Sequence, residues 1–138
     1  MENRIIYQLY KAEHKLKNFM KKLSRDNNIE ISAGESGVLF LLQKKQFKMS
    51  ELSQKLGIDN SAVTRLVDRL EAKKLALREV NPLDRRQYLI CLTKKGESDV
   101  KILTKLTNKT NKKIKDGFTK EEVDIFLRVL ASFEKKFK

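Results

Sequence analysis

The sequence predicts a mainly α-helical chain carrying one small β-hairpin, an α+β arrangement. Apolar residues recur at steps of three and four through most of the 138 positions, the period of a helix with one buried face. Only between residues 76 and 92 does the pattern change to alternation, the period of strands. Five Gly and one Pro favour long regular elements over a loop-rich fold. A chain of this length is one domain by default, and 40% hydrophobic against 36% charged residues leaves enough apolar surface for a core.

Residues 4–27 read as one helix, with Ile5, Leu9, Ala12, Leu16, Phe19 and Leu23 on one stripe and Asp26-Asn27-Asn28 ending it. Such a helix spans about 35 Å, long for so small a domain, so part of its stripe calls for a partner chain. Ser32 and Glu35 have the spacing of a capping box. The helix they open carries Val38, Leu39, Leu41 and Leu42 and is expected to stop near Gln46. Ser50 is the expected N-cap of a short helix with Leu52 and Leu56 inward, closed by Gly57. Asp59 then caps a helix over 60–74, where Val63, Leu66, Val67 and Leu70 form the buried stripe. Strands are expected at 76–80 and 87–92, with Asp84-Arg85-Arg86 at the hairpin tip. Thr93 caps a long, lysine-rich helix over 94–115, and a capping box of Thr119 and Glu122 opens the last.

The formal net charge is +13. An excess this large points to an anionic partner, nucleic acid first and a membrane surface second. A single Cys cannot form an intramolecular disulfide and suits a reducing compartment. No stretch reaches the roughly 18 apolar residues of a membrane helix, and the N-terminus lacks a signal-peptide core, so a cytoplasmic protein without a membrane partner is expected. One His, one Cys and no glycine-rich phosphate loop leave little from which to build an enzyme site, and no cofactor is expected.

Two helices joined by Gly57-Ile58-Asp59 form a helix-turn-helix candidate. A hairpin follows at once, which makes a winged helix: the second helix can enter a major groove while the hairpin touches the flanking groove. The polar face of 60–74 carries Asn60, Ser61 and Thr64 at its start, then Arg65 and Arg69 one turn apart. Arginine can hold guanine O6 and N7 with two hydrogen bonds, and a helix N-terminus attracts phosphate. Asp68 would repel phosphate unless it pairs with Arg65 or Arg69 or accepts from a cytosine amino group. In the wing, Arg85 and Arg86 can lay a guanidinium into a narrow minor groove. Asp84 makes sense there if it clamps one of them, setting its direction before binding. Pro82 stiffens the approach. Between residues 60 and 96 there are nine Lys or Arg against four Asp or Glu, and that balance favours DNA over a protein partner.

The segment SELSQKLGIDNSAVTRLVDRLEAKKLALREVNPLDRRQYLICLTKKG, Ser50 to Gly96, resembles the DNA-binding core of the MarR family of transcriptional regulators. The resemblance lies in its helix-turn-helix, its TRLVDRLE recognition helix and its DRR…LTKKG wing. It implies a winged helix-turn-helix lobe over 31–93 and a helical dimerisation region built from 1–30 and 94–138, within a single domain over 1–138. It further implies a homodimer on a pseudo-palindromic operator in double-stranded DNA, usually as a repressor. Many members release DNA when a small, often phenolic or lipophilic acid binds. By the family pattern Arg86 enters the minor groove and Asp84 orients it. Three features depart from that pattern. Lys74 stands where the family usually has a glycine closing the recognition helix, and Leu77 where a polar residue is usual. The first helix has no cysteine of the kind that peroxide-sensing members use. Cys91, opposite Tyr88, Ile90 and Leu92, is expected to be exposed on the wing and inert. With His14 as the only histidine, a zinc site is not expected. The alternatives are a winged-helix protein–protein module and a nucleic-acid-binding protein without sequence preference.

Overall fold

A computed structural model describes residues 4–137. The order is α1 (Ile5–Asp26), α2 (Ala33–Lys44), β1 (Phe47–Lys48), α3 (Met49–Leu56), α4 (Asn60–Ala72), β2 (Ala76–Asn81), β3 (Asp84–Leu92), α5 (Lys94–Lys115) and α6 (Lys120–Lys136). The chain divides into two compact units at Thr104/Lys105, within α5. In the second unit the chain turns through Gly117, φ 84°, into α6. There Thr119 and Glu122 make both halves of the expected capping box, at 3.1 and 3.0 Å.

The first unit holds the winged helix. Its core is one cluster built from α2 (Val38, Leu39, Leu42), α3 (Leu52), α4 (Val63, Val67, Leu70) and the sheet (Phe47, Ala76, Ile90), with Leu75 and Val100. The sheet is antiparallel, in the order β1-β3-β2. Phe47 pairs with Ile90, and this two-residue strand was not expected from sequence. Recruiting Phe47 into the sheet requires Lys45 to be extended, which ends α2 at Lys44 rather than Gln46. α3 starts at Met49, earlier than a Ser50 cap allows, because the Glu51 carboxylate accepts the Lys48 backbone N–H at 2.9 Å. Ser32 caps α2 as expected, but Glu35 does not return the bond. Its buried carboxylate meets Lys73 Nζ at 2.6 Å, and the same ammonium donates to the Glu30 carbonyl.

Two junctions position α4. Gly57, φ 67°, closes α3, with the Gly57 and Ile58 N–H groups bonded back to the Ser53 carbonyl. The other end of α4 closes at Ala72, two residues before the expected boundary, because Lys74 is left-handed at φ 62°. Lys74 N–H bonds to the Glu71 carbonyl and Leu75 N–H to the Leu70 carbonyl, both at 2.9 Å. This is a Schellman turn, in which Leu70 and Leu75 supply the usual apolar contact. A side chain in that conformation costs about 1 kcal/mol, and the two bonds with the burial of Leu75 offset it.

β3 begins at Asp84, three residues before the expected strand, so the tip of the wing is Pro82-Leu83 and not Asp84-Arg85-Arg86. The ladder runs on to Asn81 opposite Asp84, with an irregularity after Val80. Asn81 is buried, and its side-chain oxygen accepts the Leu83 N–H at 3.0 Å, which fixes the turn. Cys91 is also buried, against expectation. It lines a shallow cleft with Leu42, Glu97, Val100 and Lys101, so the outer face of the sheet is sheltered at its base by the end of α2 and the first turns of α5. Burial, with Glu79 beside it, pushes the thiol up from its ordinary value and keeps it protonated.

No described helix is long and apolar enough to cross a membrane. Gly96, in the first turn of α5, lies so close to the backbone just before β2 that a Cβ there would overlap the Leu75 carbonyl oxygen. Gly96→Ala is expected to lower the unfolding free energy by about 3 kcal/mol, read as a lower midpoint in urea. An unchanged midpoint would show that the start of α5 can slide off Leu75.

Candidate nucleic-acid interface

The buried stripe of α4 faces α2 and α3, so its other face is open. Asn60, Ser61, Arg65 and Arg69 are exposed and Thr64 is half-buried, all on the side that the 3.6-residue period assigns to solvent. Local bonds already use two of the short donors. Ser61 Oγ donates to Asp59 Oδ1 at 2.7 Å and Thr64 Oγ1 donates to the Asn60 carbonyl at 2.8 Å. What these two hydroxyls then offer a partner is acceptor oxygens. The start of α4 is also occupied. Asp59 Oδ1 accepts the Ala62 N–H at 2.7 Å, so the anion that a bare N-terminus would attract is supplied by the chain itself. That backbone bond, then the Ser61 hydroxyl, with Arg65 nearby, holds the Asp59 carboxyl below its ordinary value.

Asp68 pairs with neither Arg65 nor Arg69. It accepts from Arg78 Nη2 of β2 at 2.8 Å, and Arg78 Nη1 is paired with Glu71 on the same face of α4. Arg78 therefore ties the base of the wing to α4 and engages both acids of that helix, cancelling one of their two charges. Sequence reasoning did not single it out. The available signal was the strand parity that puts Ala76, Arg78 and Val80 on one face, opposite acids spaced three apart on α4. Among the described residues, Arg65 and Arg69 are left outside any ion pair.

In the wing, Asp84 Oδ1 accepts both the Arg86 backbone N–H at 3.0 Å and Arg86 Nε at 3.2 Å. The clamp expected of Asp84 thus falls on Arg86, whose side chain is 91% exposed. Such a pair in water adds little stability; its effect is to set the direction of the guanidinium. Arg85 is exposed on the opposite strand face. Arg86 shares its strand face with Ile90, which pairs with Arg78, so the face that reaches α4 also carries Arg86. The result is a helix with two unpaired arginines beside a ribbon with an oriented third. The geometry suits a major groove and the minor groove next to it.

Residues 30–87 match the model of the MarR family. Over that stretch the chain is similar to the MarR family. Three solved structures illustrate the likeness. Streptococcus pneumoniae FabT in complex with DNA is 24% identical, with all of both chains covered and a TM-score of 0.83. The S. aureus MepR–DNA complex is 20% identical over 96% of this chain and 98% of that one, with a TM-score of 0.85. Bordetella bronchiseptica BpsR, whose DNA binding is regulated by 6-hydroxynicotinic acid, is 20% identical over 97% of this chain and 95% of that one, with a TM-score of 0.82. At these identities the likeness establishes the fold. Within this lobe, Lys74 keeps the left-handed turn that glycine usually makes. Leu77 is half-buried, and its carbonyl accepts from the Cys91 thiol at 3.7 Å.

Because the folded-state value of Asp59 is lowered, its cap contributes stability above the ordinary value of 3.8 and loses it as pH falls through the lower folded value. Asp59→Ala is therefore expected to be less stable than the parent near neutral pH. The gap should narrow in thermal unfolding as pH falls from 3.8 through the lower folded value, below which both chains carry an uncharged residue. A gap that does not change with pH would place the effect outside the charged cap.

Proposed function

We propose that this chain is a sequence-specific DNA-binding regulator of transcription, a homodimeric repressor acting on a pseudo-palindromic operator. One observation carries the reading: a winged helix that matches the MarR-family model holds two arginines on α4 outside any ion pair among the described residues, and an Arg86 directed by Asp84 on a ribbon that Arg78 ties to that helix. In this reading α4 occupies the major groove. Arg65 and Arg69 read guanine edges there, while Asn60, Ser61 and Thr64 sit where the helix first meets the bases. Arg86 enters the flanking minor groove and Arg85 holds the adjacent strand. The DNA held by the FabT and MepR complexes supports the partner.

The dimer is supported by apolar surface that each unit leaves uncovered. On α1, Ile5 and Tyr10 are 70% and 72% exposed. α6 has no buried residue, and Ile125, Phe126 and Leu127 are about half exposed. Residues 1–30 and 94–138 are then the dimerisation region and 31–93 the DNA-binding lobe of one domain. A cytoplasmic setting fits a DNA partner. The ligand-regulated BpsR supports a small-molecule effector that releases DNA.

Arg86→Ala is expected to weaken DNA binding about tenfold in a gel shift while the sedimenting species stays a dimer. Arg65→Ala is expected to cost about 1–3 kcal/mol on the preferred sequence and much less on scrambled DNA. Unchanged affinity of Arg86→Ala at moderate salt would remove the wing from the mechanism. An equal loss on all sequences for Arg65→Ala would make that residue a phosphate contact.

A further inference from the structure

Resting on the DNA-binding reading, we infer that Tyr88, backed by Val80, contacts the sugar–phosphate strand that separates the groove taken by α4 from the groove taken by the wing tip. The argument begins with strand parity. One face of the β2–β3 ribbon carries, from base to tip, Ala76 with Leu92, Arg78 with Ile90, and Val80 with Tyr88, followed along β3 by Arg86. The first rows belong to the protein: Ala76 and Ile90 are in the core, and Arg78 is locked to Asp68 and Glu71 of α4. Beyond Arg78 the ribbon outruns the helix. Val80 and Tyr88 are each 53% exposed.

Tyr88 is thus two residues from the row that meets α4 and two residues from Arg86, about 7 Å along the strand in each direction. In a duplex a single sugar–phosphate strand divides a major groove from the next minor groove. A side chain midway between the element in one and the arginine in the other has that strand opposite it.

The chemistry suits this occupant. A tyrosine ring packs on deoxyribose carbons, and its hydroxyl donates to a phosphate oxygen. Among the described residues that hydroxyl has no hydrogen-bond partner. The cross-strand Val80 braces the ring, an aromatic and β-branched pairing that stabilises antiparallel ribbons. The flanking charge is complementary, because Arg85 and Arg86 are exposed while both acids of α4 facing the ribbon are held by Arg78. Two half-exposed side chains are far short of the roughly 800 Å² per partner of a stable protein interface, whereas one phosphodiester is as narrow as the pair. Tyr88 carries no charge and reads no base edge. It fixes how deeply the wing and α4 enter together.

A strand contact is independent of sequence, so no operator is needed to test it. The full-length Tyr88→Phe protein is titrated into mixed-sequence duplexes, each about three helical turns long, over a range of salt concentrations and followed by fluorescence anisotropy. Arg86→Ala and the parent chain run alongside. Tyr88→Phe removes one exposed oxygen, and its thermal midpoint should match the parent. The expected result is a loss of affinity of about threefold to tenfold on every duplex, with the dependence of log K on log salt unchanged because no cation is lost. Affinity equal to the parent on all duplexes would overturn the inference, as would a loss confined to one sequence. If the parent itself fails to bind any duplex, the DNA-binding reading falls, a result separate from failure of the tyrosine contact alone.

Discussion

The interface depends on the backbone of Leu75. Its N–H closes α4 on the Leu70 carbonyl at 2.9 Å, and its own carbonyl accepts the Thr93 N–H at 3.1 Å, where β3 passes into α5. Thr93 in turn donates its hydroxyl to the Lys74 carbonyl at 2.7 Å and accepts the Gly96 N–H at 2.9 Å. One residue therefore fixes the end of α4, both ends of the wing and the start of α5. Leu75 is 2% exposed, which shelters its own two backbone bonds from water, where competing hydrogen bonds would weaken them. The left-handed Lys74 is tolerated because this network of bonds over-determines its conformation. Lys73, one residue earlier, fastens the same corner to the start of α2 through Glu35.

Around that corner the acids are arranged so that the open face stays cationic. Asp59 is used as a helix cap, Asp68 and Glu71 by Arg78, and Asp84 by Arg86. The ion pairs among them lend little stability so near the surface. Their joint effect is directional. Each carboxylate is assigned to a partner within the protein, and Arg65, Arg69 and Arg85 remain for an outside anion. A net charge of +13 by itself gives affinity without preference; preference needs guanidinium groups held in fixed places.

Much of this was legible in the sequence where the determinant is local. The caps at Ser32, Asp59, Thr93 and Thr119 are chemical signals spanning three residues, and each opens a helix within a residue of its expected start. The exposed face of α4 follows from its period, which is why Asn60, Ser61, Thr64, Arg65 and Arg69 fall together. The features missed are non-local. β1 has two residues, too few to alternate, and exists only because β3 lies beside it. The reach of β3 back to Asp84 depends on a ladder partner across the turn. The partner of Asp68 lies ten residues away on another element, and the burial of Cys91 comes from helices that sequence spacing cannot place over it.

The most direct test of the central claim is selection of bound fragments from a random-sequence duplex pool, with the purified full-length chain at physiological salt and excess unselected competitor. The account predicts enrichment of a pseudo-palindrome whose half-sites lie about one helical turn apart, roughly 34–36 Å. Retention of the pool with no sequence enriched would contradict it, leaving a basic protein that holds DNA by charge alone.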